Sequence, residues 1–130
     1  MKIIINICLL IMLFLVSNSV FAQTITFEEA YEQTASKPMA VLIYADWADD
    51  YENHIVNFRK LQNYFNNTFN FVELDIASKD AKAFNEKYEI YPKLPYIILL
   101  RNNGKVSRYI PRNCALDSAC VISKMKAFIL

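Results

Sequence analysis

The chain has 130 residues, 14 Lys and Arg against 13 Asp and Glu, a formal net charge of +1, and 55% hydrophobic residues. That balance supplies no basic face for nucleic acid, and a single glycine, Gly104, argues against a Gly-rich phosphate loop. The length suits one domain with a single core.

Residues 1–22 read as a signal peptide. Lys2 gives a short positive start, Ile3 to Val16 is almost wholly apolar, and Val20-Phe21-Ala22 fits a signal peptidase site, so cleavage is expected before Gln23. The alternative is a retained anchor, but the apolar stretch is shorter than the ~20 residues a spanning helix needs. Cys8 lies inside the apolar run and not at a lipoprotein cleavage point. The mature domain is then residues 23–130, with no stable membrane insertion after cleavage. Its expected location is the periplasm or the extracellular space. Its charge balances, with Lys2 the only charge removed.

Thr24 to Thr34 is predicted helical. Phe27, Ala30 and Tyr31 share a face, and Thr26 with Glu29 forms a capping box. Ser36-Lys37-Pro38 ends it. Met39 to Ala45 is a continuous apolar run, the pattern of a strand buried on both faces. From Asp49 the spacing of Ile55, Phe58, Leu61, Tyr64 and Phe65 predicts a helix, with a break expected near Phe58 to Lys60. Phe69 to Ile76 reads as a second strand. Ser78 or Lys79 opens a helix that turns Ala81, Phe84 and Tyr88 inward. Tyr96 to Leu100 is a third buried strand. Asn102-Asn103-Gly104 signals a hairpin turn into an antiparallel edge strand, Lys105 to Ile110. Asp117 caps a last helix in which Val121, Met125 and Phe128 share one face. The alternation of strands and helices implies a right-handed crossover and a parallel pair, and the closing hairpin makes the sheet mixed.

Three stretches carry a resemblance to the thioredoxin fold. Lys37-Pro38, the apolar strand and Tyr44-Ala45-Asp46-Trp47 resemble the approach to that family's active site. Phe71-Val72-Glu73-Leu74-Asp75-Ile76 resembles its central strand. Tyr88-Glu89-Ile90, then Leu94-Pro95-Tyr96, then Asn103-Gly104-Lys105-Val106 resembles the stretch with the cis-proline and terminal hairpin. Within the family the chain resembles the thioredoxin-like C-terminal domain of the transmembrane thiol–disulfide reductases of bacterial envelopes. The resemblance implies an α/β fold with a mixed central sheet, a closing antiparallel hairpin and helices on both faces.

It also implies what is missing. Ala48 and Tyr51 stand at the two cysteine positions of the family's Trp-Cys-x-x-Cys motif. Disulfide exchange needs an attacking thiolate and a resolving thiol, and these two residues supply neither. Leu42 stands where thioredoxins carry a buried acid, and Glu73 where a lysine often faces it. The degenerate loop is therefore expected to be non-catalytic, and no cofactor is expected.

Trp47, Leu94, Pro95 and Tyr96 form the first candidate site. In relatives this surface presents an extended peptide to the thiols by a short β-augmentation, so the implied role is protein binding, with another envelope or secreted protein as partner. These residues equally suit simple packing of the fold. Cys114 and Cys120 form the second site. A cysteine pair in an exported chain points to a disulfide; the alternative is a relocated dithiol, an oxidoreductase or redox-responsive site with Cys120 near a helix start. The third cluster, Asp46, Asp49, Asp50, Glu52 and His54, has one histidine and reads as a solvated helix start and not as a metal site. Asn66-Asn67-Thr68 is a glycosylation sequon that matters only in a eukaryotic host.

Overall fold

The structure, a computed structural model, describes residues 25–65 and 67–130. The expected signal peptide and cleavage site lie outside the described residues, as does Asn66 of the sequon.

The element order is α1 (Phe27–Glu32) with a 3-10 turn (Gln33–Ala35), β1 (Met39–Tyr44), α2 (Tyr51–Tyr64), β2 (Asn70–Asp75), α3 (Lys79–Asn85), β3 (Tyr96–Arg101), β4 (Val106–Ile110), α4 (Arg112–Ala115) and α5 (Ser118–Phe128). The sheet order is β2-β1-β3-β4. β1 and β2 are parallel, joined through α2, and the other two pairings are antiparallel. This is the thioredoxin-like α/β arrangement, with a mixed sheet and helices on its faces.

The two-residue period of a strand explains how one sheet supports two core layers. Met39, Val41 and Ile43 of β1 face one layer, with Phe27 and Ala30 of α1 and Ala81 and Phe84 of α3. Ala40 and Leu42 face the other, with Phe58 and Leu61 of α2, Cys114 of α4 and Val121, Met125 and Phe128 of α5. Every residue from Met39 to Ile43 is buried, which is why the run is uninterrupted by polar residues.

The first helix is shorter than the sequence suggests, and Thr26 caps it as expected, with a second acceptor added from α3. The Thr26 hydroxyl accepts from the Glu29 N–H at 3.2 Å. Asp80 of α3 accepts from the Phe27 N–H at 2.9 Å. A residue 53 positions away thus satisfies an orphan donor of the helix start. The break expected near Phe58 does not occur: α2 runs unbroken from Tyr51 to Tyr64. That stretch has no Pro or Gly to kink it, and Phe58 and Leu61 hold one face on the core. Tyr88 lies beyond the end of α3, its N–H bonded to the Phe84 carbonyl at 2.9 Å. α4, a single turn carrying Cys114, has no signal in the sequence.

The hairpin turn takes left-handed conformations at three consecutive residues: Asn102 (φ 54°), Asn103 (φ 57°) and Gly104 (φ 76°). Asparagine tolerates this region and glycine occupies it freely. A Cβ on Gly104 would also collide with the Tyr31 hydroxyl, which donates to the Asn103 carbonyl at 3.1 Å. Gly104→Ala is expected to cost about 1–2 kcal/mol from the backbone alone. Urea unfolding checks this, and an unchanged midpoint would show that the turn relaxes freely.

Candidate functional site

The chain leaves the core at the end of β1. Ala45 is still buried, Asp46 is exposed, and Trp47 is 70% exposed and belongs to neither core layer. Ala48 turns back and packs on the layer shared with α1 and α3, its N–H bonded to the Ala45 carbonyl at 3.1 Å. Asp50 sits at the cap of α2 in a left-handed conformation (φ 60°) and makes no side-chain cap. Tyr51, the first residue of α2, stacks almost parallel on Tyr44, with ring centres 6.3 Å apart and planes 4° apart.

Neither residue at the two ends of this turn offers a nucleophile. Ala48 has no functional group. The hydroxyl of Tyr51 donates to Glu52 at 3.2 Å, and that hydrogen bond and the Glu52 charge push the phenol above its ordinary pKa. Burial, and then Asp75 and Glu73, push Tyr44 up as well. An open depression of about 340 Å³ between Asp46 and Asn53 is lined by Asp49, Asp50 and Glu52 and suits no anionic substrate. Among the described residues, no three of His, Cys, Asp and Glu are grouped to hold a metal ion.

The ground beneath the turn is equally informative. Leu42 pairs in register with Glu73. Leu42 is 2% exposed and lies in the apolar layer with Phe58, Leu61, Ile97 and Leu99. Glu73 is held by a two-pronged ion pair: Arg59 Nε donates to Oε2 at 2.8 Å and Nη2 to Oε1 at 2.9 Å. Leu42 brings no titratable group to this position. Sequence reading missed Arg59, which lies 14 residues before its partner and carries no local signal.

His54, one turn into α2, has its Nε2 buried without a partner. Burial lowers its pKa; Asp50 opposes the shift and Arg112 reinforces it. The neutral imidazole is therefore the favoured form.

The third strand completes the site. Ile43 pairs with Tyr96, which sets Pro95 beside the end of β1. The Leu94–Pro95 bond is cis. Leu94, Pro95 and Tyr96 are all buried, and Leu94 and Tyr96 share their apolar layer with Ala48. The Tyr96 hydroxyl accepts from the Tyr91 N–H at 3.2 Å and donates to the Glu89 carbonyl at 3.5 Å, tying the preceding loop to the strand. The segment is buried as a whole, so the exposed part of this neighbourhood is the Trp47 ring.

Cys114 and Cys120 lie elsewhere, on the face covered by α2 and α5. They form a disulfide, S–S 2.06 Å, with Cα atoms 5.3 Å apart. Asp117 caps α5, accepting from the Ala119 N–H at 3.1 Å and the Cys120 N–H at 3.4 Å. A carboxylate at this point disfavours a thiolate at Cys120.

Fold and site together define a thioredoxin-like module with no cysteine at the β1–α2 turn. Solved structures agree on the fold. The thioredoxin of Fasciola hepatica superposes with a TM-score of 0.61 at 14% identity, covering 77% of this chain and 88% of its own. Thioredoxin O2 from Arabidopsis thaliana in the oxidized state gives 0.60 at 17% identity, covering 78% and 84%. A malarial protein gives 0.59 at 20% identity, covering 72% and 99%. At such identities the likeness carries the fold and not the activity. The sequence matches no protein-family model and no curated protein. Among the described residues no helix is long and apolar enough to cross a membrane.

Proposed function

We propose that this chain is an exported thioredoxin-like module that does not exchange disulfides at its β1–α2 turn. It holds an extended segment of another envelope protein in the groove around Trp47 and Leu94-Pro95-Tyr96, in an assembly, scaffold or chaperone-like role. The observation that carries this reading is Trp47. A large aromatic ring stands 70% exposed on a turn whose neighbours Ala45 and Ala48 pack inward. Exposed Trp is costly to leave in water, and such rings recur as binding anchors. The resemblance of the Lys37 to Trp47 stretch to the domain of envelope thiol–disulfide reductases supports the exported location and an envelope partner.

Trp47→Ala tests it. The ring lies outside both core layers, so the variant is expected to fold with an unchanged unfolding midpoint. Proteins recovered from envelope extract by the wild type should be lost, or bind at least about tenfold more weakly, with the variant. A folded Trp47→Ala protein that keeps every partner at wild-type affinity sinks the proposal.

A further inference from the structure

The charges of the chain are balanced in total but separated along it. Residues 25–90 hold twelve Asp and Glu against six Lys and Arg; residues 91–130 hold seven Lys and Arg and one acid, Asp117. The sheet order turns this into geometry. β2, with Glu73 and Asp75, forms one edge, and β4, with Lys105 leading into it and Arg108 within it, forms the other. Glu73 is already taken by Arg59, whereas Lys105 and Arg108 meet no acid among the described residues.

β4 pairs with β3 on one side and with no described strand on the other. Ser107, Arg108 and Tyr109 are exposed in succession, so both faces of the strand are open at this edge. Tyr109 pairs with Ile98 and shares the face of the α1 and α3 layer; Arg108 pairs with Leu99 and shares the face of the α5 layer. Tyr109 (43% exposed) meets Tyr91 (40% exposed) edge to face, ring centres 5.0 Å apart. Both rest on the fully buried Tyr96, at 5.2 and 5.4 Å. The two outer rings therefore form a shelf already ordered before anything binds.

We propose that the free edge of β4 docks an extended segment of a partner protein in which apolar and acidic residues alternate. The segment adds to the sheet as a further strand. Main-chain hydrogen bonds supply affinity, and alternate side chains supply selectivity. Its apolar residues lie over the Tyr91–Tyr109 shelf on one face and its carboxylates meet Arg108 on the other, with Lys105 at the turn end of the strand. A basic strand is repelled at the same edge, and an acidic one is steered to it. This surface does not depend on Trp47 and stands apart from the function proposed above.

The test uses isotope-labelled protein titrated with an eight-residue peptide alternating valine and glutamate. Its comparators are the valine and lysine counterpart and a version N-methylated at alternate residues, which cannot pair as a strand. Amide shifts are expected across Val106 to Ile110. Binding should weaken about tenfold or more with Arg108→Glu, vanish with both comparator peptides and persist with Trp47→Ala. Four outcomes overturn the proposal: shifts centred away from β4, indifference to Arg108→Glu, equal binding of either comparator, or loss with Trp47→Ala. So does concentration-dependent broadening of β4 without peptide, which assigns the edge to a second copy of this chain.

Discussion

Leu42→Asp is expected to destabilise the protein by about 4 kcal/mol or more. Removing a buried leucine side chain costs about 2–5 kcal/mol through lost burial and the cavity left behind, and the incoming carboxylate adds an unsatisfied charge. Leu42 is 2% exposed among Phe58, Leu61, Ile97 and Leu99, and its register partner Glu73 is already engaged by Arg59. Burial and that neighbouring negative charge both raise the pKa of a carboxyl introduced here. A group whose folded pKa lies above its unfolded one adds no penalty below the unfolded value, and a full penalty above the folded value. The gap between variant and wild type should therefore widen from pH 5 to pH 8 in urea unfolding. Leu42→Met, which conserves volume, should cost under about 1.5 kcal/mol. A small, pH-independent loss for Leu42→Asp would show that the position still accommodates an acid, as the thioredoxin resemblance implies for redox-competent relatives.

The second expected loss comes from Cys114→Ser/Cys120→Ser. The cysteines are six positions apart, and closing so short a loop contributes about 2 kcal/mol in the chain-entropy account. For a domain of this size that corresponds to roughly 8–16 °C in Tm. The reason is local. α4 has four residues, far too few to hold a helix alone, and it is held by the burial of Cys114 and by the bond to α5. The same experiment separates a staple from a relocated dithiol. A staple resists glutathione and, once reduced, lowers Tm; an exchange pair titrates near the glutathione potential and turns over a disulfide substrate. The Asp117 carboxylate at the Cys120 amide favours the staple.

The sheet was legible in the sequence because its signals are strong and local. Met39 to Ile43 is apolar without interruption since both faces are covered, and Asn102-Asn103-Gly104 supplies the left-handed residues a tight turn needs. Asp117 was legible as a cap for the same reason: its two hydrogen bonds reach only two and three residues ahead. What escaped depends on distance. Arg59 meets Glu73 across α2 and β2, Asp80 completes the start of α1, and the charges segregate to opposite edges only once the strand order is known. The expected break in α2 failed because periodicity locates a helix but says little about its continuity where no Pro or Gly intervenes. At the site, the burial of Tyr96 at the start of the third strand was legible, while the inward burial of Leu94 was not. That burial moves the weight of the proposed surface onto the Trp47 ring.

Trp47 is the sole tryptophan of the chain, so its fluorescence reports on the proposed surface without a label. The decisive measurement is its emission and iodide quenching in the free protein and in complex with a partner recovered from envelope extract. The free ring should emit as an exposed indole and quench readily. On complex formation the emission should shift to the blue and the quenching should fall several-fold. A complex that forms at full affinity while Trp47 remains as open to iodide as before would contradict the binding role proposed for this surface.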